Sequence, residues 1–374
     1  MKTSFDVIVL GAGVMGASVA ATLVESGLAV ALVERGVAAG QGATRDTGGI
    51  VRGLELDPAL RPLVEQGPQG IGQGIVHTLF EQAFRRTGVA YIANAETCGA
   101  YLDAVGRDGG LNVELHANVA PLDNGRFSAF CPQECLLIER NGGIVDARHA
   151  VMDLTRYVNE RGTLLEQVAV ESCVELADKV IVRAGNLRLE ATWVVDATGG
   201  STNLPRAPQT MHVRTIPFTR FVCDQAPSMP VIVHGLNTYL LPLSQTVVQA
   251  GGQRRTRASR IDQLDFAVRD NEQDVMARVG RLGYERHRSA AFSTRIACDA
   301  YTEDGRPLIG PIRADSHIYL ATAFCGIGFK MAPGVSQLLA SDILARHKGL
   351  PLEATHRRLM DVYRPSRFDQ AVAS

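Results

Sequence analysis

The sequence predicts a mixed α/β fold in which a parallel sheet carries a dinucleotide-binding unit and a smaller, sheet-rich unit is attached to it. Three observations predict this. A β-α-β pattern fills the first 34 residues. Buried-strand patterns return in the middle of the chain, at 187–195, and near its end, at 317–322. Between them, residues 206–255 are strand-rich, with apolar–polar alternation in 211–222 and 238–250. Continuous apolar runs suit strands covered on both faces, and alternation suits strands covered on one.

The elements follow in order. Residues 5–10 (FDVIVL) form a buried strand, residues 14–26 a helix of small residues ending at Gly27, and residues 28–34 a second buried strand. A crossover of this kind is expected to be right-handed. Residues 55–90 read as helical, broken at Pro58, Pro62 and Pro68. Residues 146–161 read as a helix closed by Gly162, followed by strands at 164–170, 179–184 and 187–195. Residues 261–283 read as helical. The strand at 317–322 leads through a glycine turn into a helix from about 333 to 347. A chain of 374 residues exceeds one small core, so two units are expected. The dinucleotide-binding unit should comprise 1–85, 141–205 and 300–374, and the sheet-rich substrate unit 86–140 and 206–299.

Composition narrows the function. The chain is 46% hydrophobic and its net charge is -1, so no strong field recruits nucleic acid or an anionic membrane surface. Seven cysteines are scattered, and Cys131 and Cys135 have no second pair to complete a zinc site. Free thiols fit a cytoplasmic protein. The first apolar run enters a glycine loop directly, without a signal-peptide pattern, and no apolar stretch of about 18 residues suggests a membrane span.

Gly11-Ala12-Gly13-Val14-Met15-Gly16 is a G-x-G-x-x-G loop between strand and helix. The first glycine permits the tight turn, the second admits a pyrophosphate, and the third packs helix on strand. The helix N-terminus faces the phosphates with free N–H groups. Glu34 ends the second strand 18 positions after Gly16, where a carboxylate would bind ribose hydroxyls. This much leaves NAD and FAD both open.

Three further segments bear on that choice. Gly42-Ala43-Thr44-Arg45-Asp46-Thr47-Gly48-Gly49-Ile50-Val51-Arg52 is a polar glycine loop soon after Glu34. Val194-Val195-Asp196-Ala197-Thr198-Gly199-Gly200 ends a strand in small residues. Asp304-Gly305-Arg306-Pro307-Leu308-Ile309-Gly310 precedes the run from Ile318 to Pro333, which contains Gly326-Ile327-Gly328-Phe329-Lys330. Together these resemble the D-amino-acid oxidase superfamily of flavoproteins, nearest the glycine oxidase and monomeric sarcosine oxidase branch. The resemblance covers roughly half the chain.

The resemblance implies a Rossmann-like FAD-binding domain and FAD as cofactor. The cofactor-binding set expected is Gly11, Gly13, Val14, Met15, Gly16, Glu34, Arg35, Thr44, Arg45, Thr47, Gly48, Gly49, Val168, Ala197, Thr198, Gly199, Gly326, Ile327, Gly328, Phe329 and Lys330. A turn and helix near Pro333 would aim N–H groups at the flavin pyrimidine carbonyl. In the sarcosine oxidase branch an Arg and a Lys grip the substrate carboxylate, and by position these resemble Arg52 and Lys330. An Arg fork and a Lys point charge suit that task. The family also places a Tyr near the substrate, matched by Tyr239.

The sequence also departs from that branch. The oxygen-activating Lys of sarcosine oxidase matches Gln249 or Ala250, and its substrate-site His matches Gln253 or Arg254. Sarcosine is therefore not the expected substrate, and the electron acceptor stays open between O2 and a carrier. Gln253 joins Arg52, Lys330 and Tyr239 as an expected catalytic residue. The flavin-linking Cys of that branch is matched by Cys298 only with a one-residue offset, so non-covalent FAD is expected. Four arginines in 253–260 (QRRTRASR) read as a solvated loop, or as an entry path for a substrate with a second acidic group.

The function expected is FAD-dependent oxidation of the C–N bond of an amino acid or N-substituted amino acid. Hydride would pass to flavin N5, leaving an imine that hydrolyses. An FAD-dependent 2-hydroxy-acid dehydrogenase needs a base, and neither His212 nor His234 is placed for that role. A flavin monooxygenase usually carries Gly-Asp where Ala323-Phe324-Cys325-Gly326 stands. An RNA-modifying relative fits poorly with the neutral charge, and a binding-only protein is the remaining alternative.

Overall fold

The structure is a computed structural model that describes residues 2–67, 72–106, 110–122, 127, 131, 133–201, 211–284 and 289–372. Pro68 lies outside the described residues, as do 206–210 of the segment read as strand-rich.

The first sheet has eight strands. Its path runs Ser172–Glu175, Val180–Ala184, Leu187–Asp196, Ser4–Leu10, Val30–Val33, Thr163–Leu165. Ile318–Thr322 also lies parallel to Leu187–Asp196, and Leu308–Pro311 pairs with it antiparallel. Ser4–Leu10 has parallel neighbours on both sides, with Leu10 opposite both Val33 and Asp196. The carboxyl ends of three strands therefore meet at one edge, on either side of the first strand, where open α/β sheets bind ligands.

The helix Val14–Glu25 is buried along almost its whole length because its side chains are small on every face. The helix Ala147–Arg161 is instead amphipathic, capped by Asp146, whose carboxylate accepts the His149 amide at 3.1 Å. The helix Gly328–His347 starts five residues earlier than the sequence suggests and holds Pro333 in its interior. A side chain on the next residue, Gly334, would collide with the Leu63 carbonyl, so Pro-Gly marks a close crossing of this helix with the 61–64 turn. Phe80 stacks on Phe329 at 5.1 Å and fixes the first turn of the same helix.

The second sheet has nine strands. Its path runs Arg257–Ala258, Met211–Val222, Val247–Gly251, Thr238–Pro242, Val231–Val233, Val89–Ala93, Cys135–Glu139, Val113–His116, and Ala290–Thr302 pairs along Met211–Val222. A three-stranded sheet of Ile50–Val51, Gly143–Val145 and Phe84–Arg85 adjoins the loop that ends at Arg52.

Three local readings need correction. Among the described residues the stretch 55–90 holds two short helices, Arg61–Val64 and Gly74–Gln82, and its end enters the strand Val89–Ala93, whose five residues are all buried. Its β-rich composition, VAYIA, outweighs the helical spacing before it. The strand expected over 164–170 stops at Leu165, because Gln167 adopts a left-handed φ of 59°. Beyond it, Ser172–Glu175 forms a separate strand. The helix over 261–283 narrows to Val268–Gly280 after a short 3-10 turn at Ile261–Gln263. Among the described residues no helix is long and apolar enough to cross a membrane.

Candidate functional site

A cavity of about 650 Å³ opens at the carboxyl ends of the parallel strands and runs between the two large sheets. One end is the glycine loop. Gly11 has φ +93°, and a Cβ there would lie 2.8 Å from the Ala197 carbonyl oxygen. A Cβ on Gly16 would collide with the Gly11 carbonyl oxygen, so Gly16 packs the helix against the loop and does not line the cavity. Gly13, Val14, Met15, Ala197, Thr198 and Gly199 do line it.

Glu34 accepts the Ala12 amide at 2.8 Å and the Gly36 amide at 2.9 Å, fixing its carboxylate at the cavity wall beside Arg35. The Gln167 and Val168 amides bond the Gly36 and Glu34 carbonyls, which brings Val168 over the same end. Thr44 lines the cavity and its hydroxyl accepts the Val14 amide at 3.0 Å, one of the free donors at the helix start. Thr47, Gly48 and Gly49 continue the wall. Arg45 does not belong to it: its half-exposed side chain turns away to Asp46 at 2.7 Å.

The other end holds charge. Arg52 and Lys330 both line the cavity. Arg52 donates to the Leu54 carbonyl at 2.8 Å and stands 5.9 Å from the Tyr91 ring. Burial opposes its charge, but Tyr91, Tyr101, Glu55 and Glu139 more than offset this, so its pKa is raised. Lys330 is 3% exposed and donates to Glu55 at 2.7 Å. Burial first, and Arg52 next, push its ammonium down to about 8. Glu139, fully buried, accepts the Gly53 and Leu54 amides and the Tyr91 hydroxyl. Neither Glu55 nor Glu139 stands out in the sequence.

Tyr239, on the strand Thr238–Pro242 of the second sheet, and Gln253 also line the cavity. The Tyr239 hydroxyl accepts from Gln249 at 3.1 Å, and Gln253 donates to the Asn237 carbonyl. Of the four arginines in 253–260, Arg254 pairs with Asp270, Arg257 with Glu303 and Arg260 with Asp262. Arg255 turns to the cavity instead. The strand Ala290–Thr302 directs Ala297 and Asp299 into the cavity and leaves Cys298 off its wall, as strand alternation requires. Asp299 accepts the Ala300 amide at 2.8 Å and the Gly326 amide at 2.9 Å, and burial raises its carboxyl to about 6. The Gly326 amide is therefore committed to a carboxylate, and the N–H groups free at this turn are those that head the helix from Gly328. His212 and His234 do not line the cavity. Burial and then Arg52 lower the His234 pKa, and burial and then Arg257 lower that of His212.

A family model described as DAO, FAD dependent oxidoreductase, matches residues 6–341. The chain belongs to this family of FAD-dependent oxidoreductases. Solved structures of similar fold include L-proline dehydrogenase from P. horikoshii, at TM-score 0.80 and 18% identity over 99% of each chain. Glycine oxidase from Geobacillus kaustophilus aligns at TM-score 0.75 and 19% identity, covering 92% of this chain and 95% of that one. NikD, described as an unusual amino acid oxidase essential for nikkomycin biosynthesis, aligns at TM-score 0.75 and 16% identity, covering 94% and 98%. No curated protein matches the chain. FAD fits the cavity on structural grounds: Gly11 and Gly13 leave the glycine-loop wall bare of side chains, and a fixed carboxylate stands at the end of the second strand.

Proposed function

We propose that the protein oxidises the C–N bond of an amino acid or N-substituted amino acid. The single observation that carries this reading is the convergence of Arg52, from a loop, and Lys330, from the first turn of a helix far away in sequence, on the cavity that begins at the glycine loop. Arg52 offers a fork to a substrate carboxylate. Tyr239 and Gln253 face the same space and orient the remainder of the substrate. Gly11, Gly13, Val14, Glu34 and Thr44 would hold the ADP half of FAD, and Gly328, Phe329 and Lys330 the ring end. When bound, FAD supplies the acceptor for the hydride removed from the substrate carbon. The proteins of similar fold named above act, by their names, on proline, glycine and other amino acids. Among the described residues no histidine lines the cavity, which favours amine oxidation over hydroxy-acid oxidation, since the latter needs a base for the hydroxyl proton.

The test is anaerobic mixing of the purified holoprotein with amino acid and N-alkyl amino acid pools while the flavin band near ~450 nm is followed. Bleaching by at least one pool is expected. If no amine bleaches the band while a 2-hydroxy acid does, the reading is wrong.

A further inference from the structure

Two carboxylates, buried Glu139 and partly buried Glu55, stand among buried Lys330 and partly buried Arg52, an arrangement that simple carboxylate capture does not require. Glu55 touches Lys330 at 2.7 Å, and Glu139 is coupled electrostatically to both Arg52 and Lys330. Glu55 is not a swinging group. Its second oxygen accepts the Asp57 amide at 3.3 Å and its own carbonyl accepts from Arg61 at 3.0 Å. The segment on either side is pinned by Glu139 to the Gly53 and Leu54 amides, and by Asp57 to Arg306 at 2.9 Å. Asp299 and Arg255 act on another part of the wall, around Tyr301.

We propose that Glu55 is a specificity-determining residue: as a fixed counter-ion of Lys330 it brings the largely enclosed cluster Arg52, Lys330, Glu55 and Glu139 to zero net charge, so that a carboxylate is accepted only from a ligand that carries its own cation. The inference rests on the carboxylate-binding role of Arg52 proposed above. A zwitterionic amino acid leaves the cluster neutral. A bare carboxylate, including a 2-hydroxy acid, adds an uncompensated negative charge in a buried site, which is strongly unfavourable. The selected class is thus the amino acid zwitterion, chosen by charge count as well as by shape.

The test uses the FAD holoprotein and a matched pair of ligands that are not oxidised at Cα: 2-aminoisobutyrate, a zwitterion without a Cα hydrogen, and isobutyrate, the same skeleton without the amine. Dissociation constants are read from perturbation of the flavin spectrum. The wild type should prefer 2-aminoisobutyrate by tenfold or more. Glu55→Gln keeps the size and the acceptor but leaves the cluster with one positive charge. It should tighten isobutyrate about tenfold while changing 2-aminoisobutyrate less. Isobutyrate binding as tightly as the zwitterion in the wild type overturns the inference without any variant. So does a preference unchanged in Glu55→Gln. Arg52→Met separates the two claims. If neither ligand perturbs the spectrum, or this variant alters neither constant, the carboxylate site itself is wrong and the inference goes with it. Arg52-dependent binding with an unchanged preference removes the role of Glu55 alone.

Discussion

The Glu34 carboxylate accepts the Ala12 amide at 2.8 Å, joining the end of the second parallel strand to the glycine loop that follows the first. This bond holds an anion where ribose hydroxyls would donate, and it shapes the loop at the same time. Glu34→Ala should therefore weaken FAD binding about 10- to 100-fold, the size expected for one or two hydrogen bonds to a charged group. Titration of apoprotein with FAD measures this directly, and an unaltered affinity would exclude Glu34 as a ribose contact.

Gly16 and Gly99 make a paired test of where glycine matters. A Cβ on Gly16 would overlap the Gly11 carbonyl oxygen, whereas a Cβ on Gly99, within the helix Ala95–Gly106, would meet nothing within 4 Å. Gly16→Ala should destabilise the apoprotein by about 1–3 kcal/mol and reduce the FAD retained on purification. Gly99→Ala should be neutral or stabilising by up to about 1 kcal/mol. Thermal melts of both variants decide it, and equal behaviour would contradict the packing described for the loop.

What the sequence reveals and what it hides follows from range. The glycine loop, Glu34 and the strand Ile318–Thr322 are local patterns, fixed by neighbours within a few residues, and they are legible in the sequence alone. The Arg52–Lys330 convergence becomes legible only through a family resemblance, since no periodicity links two positions so far apart. Glu55 is hidden for a different reason. It lies in a stretch whose helical spacing gives weight to apolar residues, and its partner Lys330 is 275 positions away. Arg45 is the reverse case. A cation in a cofactor loop invites a phosphate, but buried Asp46 takes its guanidinium, with Arg295 as a second partner of that carboxylate at 3.4 Å.

Cys298 carries a prediction about the flavin linkage. It lies between Ala297 and Asp299, which line the cavity, and is itself absent from the wall. Denaturation in acid should release all FAD into the supernatant, and Cys298→Ala should retain the cofactor as well as the wild type does. Flavin that stays with the precipitated chain in the wild type and is lost from Cys298→Ala would show a thioether bond and contradict the strand geometry.

Asp299 yields the pH dependence. Burial raises its carboxyl from an ordinary value of 3.8 to about 6, while the Ala300 and Gly326 amides pull the other way without prevailing. The folded state thus binds this proton more tightly than the unfolded chain does. Stability associated with protonated Asp299 is full below about pH 4 and is lost as pH rises towards and through about 6. The loss amounts to at most about 3 kcal/mol, and solvent at the cavity mouth reduces it. Asp299→Asn has no charge to bury, and it keeps an oxygen for only one of the two amides, a cost that does not vary with pH. Its stability relative to wild type should therefore improve between pH 4 and 7 and then stay level. Denaturant melts of the two apoproteins at pH 4, 5.5 and 7.5 measure that difference. A constant offset across the three values would show that Asp299 ionises as easily in the folded protein as in the unfolded chain, and that the Gly326 turn is already negatively charged at pH 5.5.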